Sequence, residues 1–119
     1  MTELVLQEKY VMNYVKERMI NMIKIFQIDT TKDKKHAKFM PFDFVKEFDF
    51  SIYKEVWSGE LDISNLDDIF RIFNVEHPSD FKGHSLSVSD IVQIVNSDTN
   101  TPDGYYYCDS IGWKKIDIE

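Results

Sequence analysis

Cysteine is almost missing from this chain. Cys108 stands alone among 119 residues, so no internal disulfide can form. A lone thiol fits a reducing compartment, and its place in the aromatic run Tyr105 to Cys108 reads as a small buried hydrophobe rather than a nucleophile. Histidine is scarce as well. His36, His77 and His84 are too few and too scattered for any zinc spacing, and the acidic stretches lack an Asp-x-Asp-x-Asp-Gly calcium loop. No metal and no other cofactor is expected. Gly59, Gly83, Gly104 and Gly112 are never clustered, which excludes a phosphate-cradling loop and leaves them as turn positions. No apolar run approaches the roughly 18 residues that span a bilayer, and the N-terminus carries acids without an apolar signal core. These absences point to a cytoplasmic protein with no membrane partner.

What is present is enough for a core. Hydrophobic residues make up 43% of the chain and aromatics 14%, which argues for one folded domain rather than a disordered tail. The net charge is −7, unevenly spread. Residues 1–38 hold eight Lys/Arg against five Asp/Glu, residues 41–70 two against eight, and residues 71–119 four against eight. The body is acidic, and such a surface repels a phosphate backbone and suits a basic groove. Direct nucleic-acid binding is disfavoured, except through Lys32, Lys34, Lys35 and Lys38. The plainer reading of those lysines is a solvated loop.

The pattern predicts a helix from Thr2 to about Asn21, with Leu4, Val11, Val15, Met19 and Met22 on one arc and Glu8 intruding among them. This amphipathic extension, residues 1–21, precedes a domain over 22–119. Met22–Ile28 alternates and predicts the first strand. Pro41 opens a second predicted helix to Phe48, with Phe42, Val45 and Phe48 at helical spacing. Ser51–Trp57 reads as a strand followed by a turn at Ser58-Gly59. Asn65–Asn74 reads as a third helix, with Ser64 as its N-cap and Asp67 and Asp68 in its first turn, where the helix dipole favours acids. His77-Pro78 ends it. Ser87–Val95, Tyr105–Asp109 and Trp113–Ile118 complete the strands. The expected fold is α+β: one domain, a four- to five-stranded, mainly antiparallel sheet packed with two to three helices.

The densest motif is HPSDFKGHSLSVSDIV, from His77 to Val92, echoed by the aromatic strand YYYC and Asp109-Ser110-Ile111-Gly112-Trp113. In this form the sequence resembles the YodL-like family, small domains of conjugative and other mobile elements of Firmicutes. The resemblance runs over about residues 23–116. It implies the fold, and it brings no activity with it. Gly83, His84, Ser85, Ser87, Ser89, Asp90, Asp109, Ser110 and Gly112 form this signature. Small polar side chains at such density suit turns and backbone hydrogen bonds.

Three kinds of site compete. His84, Ser85, Ser89, Asp90, Cys108 and Asp109 could make a hydrolase or nuclease centre around His84 and Asp109, but adjacent His84 and Ser85 point to opposite faces of a strand. The catalytic reading is therefore the minor one, and the chain is not expected to be an enzyme. Tyr53, Trp57, Tyr105, Tyr106, Tyr107 and Trp113 outnumber what a small sheet buries; the candidates among them are Tyr53, Trp57, Tyr106 and Trp113. They suit a partner interface as well as they suit the edges of a core. Together with Asp62, Asp67, Asp68 and Glu8 they are the candidate partner-binding set. The leading expectation is a small acidic inhibitor that binds protein. Mobile-element origin, implied by the resemblance, points to counter-defence: an anti-CRISPR acting on an RNA-guided nuclease or its ribonucleoprotein. The alternative is an accessory domain that binds another element-encoded protein.

Overall fold

The computed structural model describes residues 20–118, apart from 96 and 98–100. The first strand, β1 (Ile20–Ile28), lies second from one edge, because β2 (Tyr53–Asp62) folds back on its outer side. On its inner side β1 pairs with β3 (Ile91–Val95), then come β4 (Gly104–Cys108) and β5 (Trp113–Ile116). The order β2-β1-β3-β4-β5 is antiparallel throughout, so β2 and β5 are the edges.

Alternation along β1 assigns the two faces. Ile23 and Ile25 are fully buried with Val92, Ile94 and Tyr106 under α1, a six-residue helix (Leu66–Arg71). That helix runs on for five residues (Ile72–Glu76) in a wider turn, closed by His77 N–H donating to the Ile72 carbonyl. Ile69 and Phe73 of the helix enter the same core. The N-cap is Asn65 rather than Ser64, because the Asn65 side chain accepts from the Asp68 N–H; the helix stops at His77, whose φ of 52° is left-handed, just before Pro78. Phe26, Ile91, Tyr107 and Ile116 face the opposite way, beneath an arch formed by residues 29–52.

Five strands fall within the expected number, but the described residues hold one helix, not two or three. Pro41–Phe48 is not helical. Only Phe42–Phe44 makes a tight turn, and Val45 is extended. Phe42, Val45 and Phe48 all pack on the sheet face, so helical spacing marked buried residues correctly and the element wrongly. Two phenylalanines and a valine gain more from that face than a short isolated helix could return. Ser58-Gly59 is no turn; β2 runs straight through it. The glycine is there because a Cβ at position 59 would meet the Trp57 ring at 2.6 Å. β2 gains its length by a bulge that leaves Val56 between the Ile25↔Trp57 and Phe26↔Glu55 pairs. The expected helix over 2–21 lies mostly outside the described residues, as does Glu8. Its last two residues, Ile20 and Asn21, already pair with Asp62 and Leu61. The strand therefore begins two residues before the expected boundary at 21/22.

Candidate functional site

The expected strand Ser87–Val95 begins only at Ile91, and the signature before it takes another form. After the helix, a turn at Pro78–Phe81 sends the chain back across the core without a neighbouring strand. Side-chain amides supply the missing hydrogen bonds. Gln27 Oε1 accepts from the His84 N–H at 3.1 Å, while its Nε2 donates to the His84 carbonyl at 2.8 Å. Two residues on, Asn74 Oδ1 accepts from the Leu86 N–H at 2.6 Å and its Nδ2 donates to the Leu86 carbonyl at 3.0 Å. A carboxamide presents one donor and one acceptor side by side, which is the pattern of a neighbouring strand. The two grips hold alternate residues, one from β1 and one from the helix. Leu86 is thereby set into the core. Gly83 is required because a side chain there would collide with Gln27 Oε1.

Gln27 does more than grip His84. Its Nε2 also reaches Asp90 Oδ2 at 3.0 Å, and the same oxygen accepts from the Ser87 N–H at 2.8 Å. The Asp90 N–H donates to the Ser87 carbonyl, closing a tight turn in which Ser89 has a φ of 88°. Asp90 is buried, and burial pushes its carboxyl up to about 7 despite the bonds from Ser87 and Gln27. The turn is then joined to β4: Ser89 N–H donates to the Cys108 carbonyl, and Cys108 N–H to the Asp90 carbonyl.

A second set of bonds holds the arch down. Ser89 Oγ accepts from the Phe39 N–H at 3.0 Å, and Asp109 Oδ1 from the Phe42 N–H at 3.2 Å. Tyr107 donates its hydroxyl to the Met40 carbonyl, and Tyr53 donates to the Ser89 carbonyl, each at 2.6 Å. Burial raises both phenols well above their ordinary range, so they remain protonated donors. Asp109 also accepts from the Ser110 N–H, and its own N–H bonds Gly112, whose φ of 70° suits glycine.

Most signature residues thus bind backbone. His84 Nδ1 lies 2.7 Å from the Ser85 carbonyl and 3.4 Å from Gln27 Nε2, while Nε2 of His84 is buried without a partner among the described residues. His84 and Asp109 serve different segments, and no hydrogen bond joins them among the described residues. Cys108 is buried and its thiol is pushed up to about 12, away from thiolate chemistry. Among the described residues, no group of three His, Cys, Asp or Glu could hold a metal ion.

The candidate partner-binding residues separate. Tyr106 is buried, with its hydroxyl on the Pro102 carbonyl, and presents no surface to a partner. It points inward because β4 pairs on both sides and its alternation places position 106 beneath the helix. Trp57 is half-buried against Phe73, with Nε1 donating to Asp80 at 2.9 Å; Trp113 packs against the same core, and Tyr53 against the other. Asp62 and Asp67 are exposed, while Asp68 caps the Ser64 N–H.

A family model for the YodL-like domain matches residues 22–118, the span from β1 through the signature to the last strand. The chain belongs to the YodL-like family. No curated protein and no solved structure matches it. Gln27 and Asn74 are the residues of this YodL-like domain that sequence reasoning passed over, and Tyr107, weighed there as a surplus aromatic, is buried and ties down the arch. Gln27 could have been found, since it shares the phase of the buried Ile23 and Ile25 in β1 and a buried amide demands partners. Among the described residues no helix is long and apolar enough to cross a membrane.

Proposed function

We propose that this YodL-like protein is a protein-binding inhibitor that docks its acidic edge against a basic surface. The observation that carries the reading is β2. It is a ten-residue edge strand whose outer side meets no other described strand. Such an edge is a template for a further strand, with backbone bonds giving affinity and side chains giving choice. Glu55, Glu60 and Asp62 line its face away from the helix, and Asp67 and Asp68 follow at the helix start. A second copy is a poor occupant, because an antiparallel pair centred on Trp57 and Ser58 sets Glu55 opposite Glu60. A basic strand or groove is a good one.

In its most specific form the proposal is counter-defence. An acidic protein of this size would occupy the positively charged channel of an RNA-guided nuclease, where a nucleic acid otherwise lies. The excess of acids over residues 41–119 and the mobile-element setting implied by the family resemblance support it. The test is a pull-down from cells carrying such a nuclease, followed by titration of the captured complex. Inhibition should be stoichiometric and weaken steeply with salt. Charge reversal at Glu60, Asp62 and Asp67 should slow association; Asp68 is excluded because its reversal would also remove a helix cap. A complex indifferent to both salt and reversal would overturn the acidic-edge reading.

A further inference from the structure

Three lysines from distant parts of the chain meet at one pocket beside the signature. Lys38 comes from the arch, Lys54 from the start of β2 and Lys82 from the segment leading to His84; with His84 they border a space of about 420 Å³. Its floor is built by Gln27 and Gly83. One carboxylate, Glu55, lines it, and Glu55 already faces Lys24 at 4.0 Å. Lys54 also feels the Asp29 carboxylate and Lys38 that of Asp90, but none of the three lysines closes an ion pair among the described residues. Their convergence is thus only partly offset, and it is the more conspicuous in a chain of net charge −7.

Local structure holds this grouping in place. The Lys38 N–H donates to Asp33 Oδ2 at 3.1 Å, and its Nζ lies 5.1 Å from the Phe39 ring centre. Phe39 in turn sets its edge against the His84 ring. His84 is fixed through its backbone by both atoms of the Gln27 amide. Lys54 stands on a strand.

We infer that this pocket binds the phosphoryl group of a small phosphate monoester. Three lysines lining one pocket supply positive charge enough for a phosphoryl dianion, and each ammonium can donate to its terminal oxygens. A volume of about 420 Å³ takes a phosphoryl group and a small organic body, within the roughly 300–1,000 Å³ range of small-ligand pockets. It is too small to follow a polynucleotide backbone. The pocket borders the acidic edge at Glu55, whereas Glu60, Asp62 and Asp67, the positions whose reversal tests that edge, do not line it.

The test uses the full chain, isotopically labelled, titrated with inorganic phosphate and with a nucleoside 5′-monophosphate at constant ionic strength held by chloride. Saturable shifts should concentrate at Lys38, Lys54, Gly83 and His84. Lys54→Gln and Lys82→Gln should each weaken binding about tenfold or more. Both side chains are exposed, so the fold should survive, and the remaining spectrum serves as the check. Equal affinity for phosphate and the monophosphate would assign recognition to the phosphoryl group alone; tighter binding of the monophosphate would add its organic part. Either result supports the proposal. Shifts that fail to saturate, or that persist unchanged in both variants, would overturn it. So would a short oligonucleotide binding far more tightly than the monophosphate.

Discussion

Gln27 and His84, 57 positions apart, are joined by a two-way hydrogen bond between a side-chain amide and a backbone peptide. This contact replaces a strand pairing. It fixes where the signature crosses the core, and it carries the turn at Asp90 through the same amide nitrogen.

Gln27→Ala should therefore cost more than an ordinary strand substitution. It removes three hydrogen bonds to buried or half-buried groups, each worth about 1 kcal/mol net and more where a group is left unpaired. A loss of about 3 kcal/mol is expected in denaturant unfolding. Exchange of the His84 and Ser87 amide protons should accelerate beyond the global change. A loss under 1 kcal/mol would show that the segment is held without the grip.

Gly83→Ala tests the same contact from the other side. The added methyl meets Gln27 Oε1 and must displace it. Destabilisation of about 1–3 kcal/mol is expected. If the collision is the cause, combining it with Gln27→Ala should add little, because the colliding amide is gone. Additive losses in that double variant would place the cause elsewhere.

Asp90 makes a pH prediction. Burial holds its folded pKa at about 7, whereas an aspartate in an unfolded chain titrates near 4. Between these values the unfolded chain has lost a proton that the folded chain keeps. Stability from this group therefore falls as pH rises from about 4 to about 7, by roughly 1–4 kcal/mol, and is flat above. Asp90→Asn cannot titrate but can still accept from Gln27 and Ser87. Unfolding midpoints at pH 4.5, 6 and 8 should show the variant gaining on the native chain with rising pH. Parallel profiles would mean that Asp90 is already ionised when folded.

Tyr107→Phe should release the arch without disturbing the sheet. The lost bond to the Met40 carbonyl is worth about 1 kcal/mol, and the ring contacts with Phe42 and Phe48 remain. Faster exchange at the Phe39 and Phe42 amide protons, with β1 and β3 protected as before, is the expected pattern. Uniform acceleration would tie the arch to global unfolding.

A chain beginning at Ile20 retains all of β1, including its pairs with Asp62 and Leu61. It should unfold cooperatively, with altered partner affinity if residues 1–19 modulate binding. Loss of cooperative unfolding would instead assign those residues to the fold.

Composition and periodicity alone determined a good part of this protein. The alternation of Met22–Ile28 marked β1, Asp67 and Asp68 marked the helix start, and His77-Pro78 marked its end. These signals are local: each depends on spacing or dihedral preference within a few residues. The charge distribution is likewise readable without coordinates. Tertiary structure alone decided the rest. Phe42, Val45 and Phe48 have helical spacing, yet burial against Tyr107 and its neighbours outweighs the small gain of one short helix. Gly59 looks like a turn residue until the Trp57 ring occupies the space a side chain would need. Leu86 and Val88 alternate like a strand, but no strand lies beside them. His84 and Leu86 find their partners instead in Gln27 and Asn74, whose amides mimic one from 57 and 12 positions away. A hydrogen bond satisfied by a distant side chain leaves no periodicity in the sequence, and so only the folded chain reveals it.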